Sequence, residues 1–202
     1  MNQSKKNLNQ SGFSPFRNQK FLTGFTLTEI IISLTLFVLI LVIVFSIYAL
    51  HQRVYTAGEA RAEVLQNGRV VLERMTREVR QARDIVTELA DDESGATSTI
   101  LFEDGHDVST IHYIHFFQDN KNIKREVIAY YFSGDPYTYV VWNATPPPGQ
   151  EKLTTTTEAA QIIGEYVTRL DIWGSPTVNV STTLEKGDQK INLKTKILGR
   201  NL

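Results

Sequence analysis

An apolar run from Phe25 to Leu50, FTLTEIIISLTLFVLILVIVFSIYAL, contains a single charged residue, Glu29. As a helix its roughly 26 residues reach about 39 Å, more than a bilayer core of about 30 Å. A secretory signal peptide has a hydrophobic stretch of only about 7–15 residues and then a small-x-small cleavage site. This run is too long, and Ile47-Tyr48-Ala49 at its far end puts a bulky residue where a small one is needed. The segment before it carries Lys5, Lys6, Arg17 and Lys20 and no acidic residue. By the positive-inside rule these charges place the N-terminus in the cytoplasm and the C-terminal part outside.

The 202 residues suit one modest globular domain plus an appendage. A net charge of -1 gives no global reason to expect nucleic acid or an acidic surface as partner. The absence of cysteine excludes a disulfide framework, thiolate metal sites and a cysteine nucleophile.

Glu29 is the anomaly. A carboxylate near the start of a membrane helix costs about 1–3 kcal/mol, depending on depth. Either it sits tolerated in the headgroup zone or it waits for a cationic partner. Its neighbours favour the second. Gly24 to Glu29 read G-F-T-L-T-E, with a basic segment before and a continuous apolar helix after. This resembles the class III signal of type IV prepilins and type II secretion pseudopilins. The resemblance implies that a prepilin peptidase cuts between Gly24 and Phe25, that Phe25 is then N-methylated, and that Glu29 is the fifth mature residue. It further implies that Glu29 pairs with the new ammonium of an adjacent subunit. That pairing neutralises both charges in a low-dielectric setting and sets the axial register.

No proline occurs between Pro15 and Pro136, so the helix need not stop at Leu50. Apolar residues recur at Val64, Val71, Leu72, Met75, Val79, Ala82 and Val86, an i, i+3, i+4 stripe. The pattern predicts one helix from Phe25 to about Thr87, apolar all round in its first half and amphipathic in its second. The second half is expected to pack against a head domain. Arg69–Glu73, Glu73–Arg77, Arg74–Glu78 and Arg80–Asp84 are spaced to pair on the exposed side. The interleaved acids offset Arg69, Arg74, Arg77, Arg80 and Arg83, so a salt-bridged surface is expected rather than a nucleic-acid patch. Gly58 and Gly68 weaken the helix by up to about 1 kcal/mol each and are candidate points of bending.

Beyond Asp91-Asp92-Glu93-Ser94-Gly95 the texture becomes β. Strands are predicted at Thr99–Glu103, Ile111–Phe117, Glu126–Phe132, Tyr137–Trp142, Tyr166–Trp173, Val178–Leu184 and Lys190–Leu198. In the last two, Val178, Val180, Thr182 and Leu184 share one face, as do Ile191, Leu193, Thr195 and Ile197, while Asn192, Lys194 and Lys196 point the other way. Glu185-Lys186-Gly187-Asp188 supplies the turn between them. Thr145-Pro-Pro-Pro-Gly149 is a stiff connector, Thr154–Thr157 an exposed loop, and the stretch from Ala144 to Glu165 a decoration of the head. The expected fold is α+β, a long N-terminal helix packed against an antiparallel β-sheet. The layout is a leader at 1–24, a membrane half at 25–50, an amphipathic half at 51–90 and an extracytoplasmic head at 91–202.

Leu72-Glu-Arg-Met-Thr-Arg-Glu-Val-Arg-Gln-Ala82 is similar to the post-membrane helix of larger minor pilins and J-type minor pseudopilins, and the two final strands are similar to their closing hairpin. The resemblance implies a pilin-like architecture. As partners it implies other pilin or pseudopilin subunits, a prepilin peptidase, an inner-membrane assembly platform and membrane lipid. Two other readings compete: a single-pass, signal-anchored adhesin or sensor, and a DNA-uptake pilin.

No enzyme motif is present, and the chain is expected to be a substrate of enzymes rather than one itself. No cofactor is implied. His106, His112 and His115 lie near Asp104 and Asp107, yet His112 and His115 are three apart and would point to opposite faces of a strand, so no metal site is expected. Asn143-Ala-Thr145 and Asn179-Val-Ser181 match the N-glycosylation pattern, a short motif that often arises by chance.

Overall fold

A computed structural model describes residues 24–106, 110–148 and 152–200; the segment before Gly24 that is expected to be a leader, Asp107 and Gly149 lie outside the described residues. The chain divides into two compact units that part between Ala49 and Leu50. One helix, α1 (Leu27–Gln81), runs from the first into the second.

In the first unit α1 is apolar on every face. The consecutive residues Leu36, Phe37, Val38, Leu39 and Ile40 step round the whole axis, and every one is exposed. Two of its hydroxyls bond within the helix: Thr35 and Ser46 each donate to the carbonyl four residues back, at 2.8 Å.

In the second unit α1 becomes one-sided. Val64, Val71, Leu72, Met75 and Val79 are buried, as the sequence spacing predicts, and Gly68 is buried with them. Two antiparallel sheets cover it. The first contains β1 (Thr99–Glu103), β2 (Tyr113–Asp119), β3 (Asn122–Phe132), β4 (Asp135–Val140) and β5 (Leu153–Gly164). The second is β6 (Val167–Trp173), β7 (Thr177–Lys186) and β8 (Gln189–Leu198), in that order. β5 pairs along nearly all of β3, so β2 and β4 share the opposite edge, one after the other. Tyr113 fastens that junction: its buried hydroxyl accepts the Trp142 N–H at 3.0 Å, and its ring meets Tyr130 edge-on.

The core is continuous across helix and sheets. Val71, Met75 and Val79 lie in one cluster with Phe102 and Phe116 of the first sheet and with Ile172, Leu184 and Ile197 of the second. Burying each such side chain stabilises the fold by about 1.5–3 kcal/mol. Gln118 links the two sheets, accepting from the Leu170 N–H at 2.9 Å and donating to the Val167 carbonyl.

The predicted final hairpin forms. Val178, Val180, Thr182 and Leu184 are buried, and Asn192, Lys194 and Lys196 are exposed. Gly187, at φ +58, occupies the left-handed position of its turn.

Three expectations are corrected. First, α1 ends at Gln81 rather than near Thr87, because the backbone from Arg83 to Thr87 bonds to the edge of β1 instead. The Arg83 N–H donates to the Glu103 carbonyl, the Glu103 N–H to Asp84, and the Val86 N–H to Leu101. Second, only one of the four expected helix ion pairs forms, Arg74–Glu78 at 3.1 Å. Asp84 is off the helix, and Glu78 is shared with Arg125 of β3 at 2.7 Å. Third, Thr154–Thr157 is not a loop but part of β5. Gly68 is also a site of close packing: a Cβ there would lie 2.5 Å from Leu193 Cδ1 and 2.9 Å from Leu184 Cδ1.

Candidate functional site

The N-terminal end of α1 is where the sequence places its chemistry. Four N–H groups at a helix start have no partner inside the helix. Here two are supplied by a reciprocal pair. The Glu29 N–H donates to Thr26 Oγ1 at 3.3 Å, and the Thr26 N–H donates to Glu29 Oε2 at 3.4 Å. Thr26 is the N-cap and Glu29 the third helical residue, the spacing of a capping box. The carboxylate also lies at the positive end of the helix dipole. Gly24 and Phe25 precede the cap in non-helical backbone, and Phe25 is 79% exposed.

Gly24, Phe25 and Glu29 therefore lie within one exposed turn at the start of an apolar helix. The second carboxylate oxygen of Glu29 makes no hydrogen bond to any described residue. The T-x-x-E spacing from Thr26 to Glu29 was available in the sequence as a capping signal, and it identifies Thr26 as a member of this site.

The histidines do not converge. His106 Nδ1 lies 2.8 Å from Gln81 Oε1 at the end of α1. His112 precedes β2 and sits 2.9 Å from Glu158 of β5, edge-on to Tyr139, whose hydroxyl donates to the other Glu158 oxygen. His115, within β2, meets Thr99 Oγ1 at 2.7 Å and stacks on Phe117. Burial holds the His115 imidazole below its ordinary pKa, and the nearby Glu126 carboxylate opposes that shift. Among the described residues no group of three or more metal-binding side chains comes together. Asn179, in one of the glycosylation-like tripeptides, donates to the carbonyls of Trp173 and Thr177 inside the hairpin.

The fold and the site define an α+β chain whose helix is long and apolar enough to cross a membrane. Comparison with protein-family models, with characterised proteins and with solved structures finds no match.

Proposed function

We propose that the chain is a subunit, of the minor kind, of a type IV pilus or type II secretion pseudopilus. In this reading a prepilin peptidase cuts after Gly24, Phe25 carries the new amine and is methylated, and the apolar half of α1 packs among its copies in neighbouring subunits. The observation that carries the reading is the pairing of two features: an apolar helix half exposed on every face, and one carboxylate in its first turn. An apolar surface of that extent is compatible with water only when lipid or other helices cover it. The free oxygen of Glu29 is then placed to take a neighbour's ammonium, a charge-assisted bond stronger than the neutral N–H contact it already makes.

A single-pass anchor is the second reading, and the capping box favours it, since that motif gives Glu29 a purely local task. Glu29→Gln separates the two. Glutamine completes a capping box as glutamate does but cannot pair with an amine as an anion. The expected outcome is a variant that inserts in membranes yet is depleted from filaments. Normal incorporation would remove the charge-register reading. Mass spectrometry of the N-terminus from native membranes tests the class itself: a mature chain beginning at methylated Phe25 supports the filament subunit. An intact leader in peptidase-competent cells supports the anchor.

A further inference from the structure

An open groove of about 520 Å³ lies between α1 and β8 in the second unit, and it does not depend on the filament reading. Its helix wall carries Arg69, Glu73, Arg77 and Arg80, all exposed and on successive turns. Three guanidiniums face one carboxylate, and no described side chain pairs with any of the four. Leu72 and Leu193 supply the apolar floor.

The opposite wall is β8. Leu193, Lys194 and Thr195 of β8 line it, but the Lys194 ammonium lies on the other face of the sheet, bound to Glu93 at 2.8 Å. What Lys194 presents to the groove is its main chain. β8 is the outer strand of its sheet, and among the described residues only β7 pairs with it. The other outer strand is closed: Thr97 exchanges backbone hydrogen bonds with Ile172 of β6, and the Gly174 N–H donates to Ala90. β1 is closed by the segment after α1. The edge of β8 therefore offers a row of unpaired amides and carbonyls beside a row of unpaired arginines.

We infer that this groove binds an extended acidic peptide segment of a partner protein, which adds a strand to β8 while its carboxylates meet the arginines of α1. Edge pairing supplies affinity through main-chain hydrogen bonds, and side-chain pockets along the edge supply selectivity. Arginine meets carboxylate in two parallel hydrogen bonds, which fixes orientation as well as adding attraction. A nucleic acid would satisfy the arginines but leave the strand edge unused, so the peptide accounts for both walls and the polyanion for one.

The test uses the full chain in a non-ionic detergent and a fluorescein-labelled peptide of alternating glutamate and valine, about eight residues long, enough to span most of an edge strand. Anisotropy titrations should show binding that Arg77→Gln and Arg80→Gln each weaken by about fivefold, as expected for losing about 1 kcal/mol of ion-pair attraction. Both positions are exposed, so the variants should fold, and circular dichroism checks that they do. Two further peptides carry N-methyl groups on alternate amides, one in each frame. One frame faces β8 and should lose binding, while the other should keep it. Failure to bind, equal behaviour of the two frames, affinity unchanged in both arginine variants, or displacement by single-stranded DNA of matched charge as efficiently as by unlabelled peptide would each overturn the inference.

Discussion

Thr182 lies fully buried on the core face of β7, and its hydroxyl oxygen finds no partner among the described residues. Its neighbours differ: Ser181 and Thr183 both accept from the Asn192 amide, at 3.3 and 2.9 Å. An unsatisfied buried hydroxyl costs about 1–3 kcal/mol, while valine fills nearly the same volume with no polar atom. Thr182→Val is therefore expected to raise stability by about 1 kcal/mol, read as a higher urea midpoint with unchanged slope. A lower midpoint would mean that the hydroxyl is satisfied. The alternation along Val178–Leu184 marks Thr182 as core from sequence alone. That it lacks a partner depends on what packs opposite, which no pattern within the strand encodes. The same holds at Glu29. Its place in an apolar run is plain in the sequence, whereas the bond back to Thr26 is a property of the folded turn.

Among the elements, α1 and the β6–β8 sheet were the most legible, because periodicity follows burial on one face. β5 was missed for the converse reason. From Thr155 to Ile162 it is largely exposed, so no alternation of apolar and polar residues marks it. Its threonines carry β-propensity, but the prolines just before it are strand-incompatible and mask that signal. The end of α1 was overrun because the pattern through Val86 is compatible with helix, while the chain gains a better set of hydrogen bonds on the edge of β1. Tertiary pairing overrides local preference there. β5 also contacts the helix at one demanding point: a Cβ on Gly164 would collide with Val71 Cγ2. Valine is stiff at χ1 and buried, so it cannot swing aside. Gly164→Ala is expected to destabilise by about 1–3 kcal/mol in urea unfolding. Adding Val71→Ala should then cost less than it does in the otherwise unchanged chain, since it removes the colliding atom. Strict additivity would show that the two positions do not touch.

At the scale of the molecule, the buried cluster of the second unit begins at Val64 and includes no residue from the apolar half. A chain starting at His51 should therefore stay soluble without detergent and unfold cooperatively, with a urea midpoint close to that of the full chain. Precipitation, or a clearly lower midpoint, would mean that the apolar half supports the head. That half has a property of its own. Apolar side chains are exposed all round it, so turning that half about its long axis leaves its surface nearly unchanged. From Leu27 to Leu50 Glu29 is the sole acidic or basic residue, so one carboxyl group gives an otherwise apolar rod most of its sense of direction.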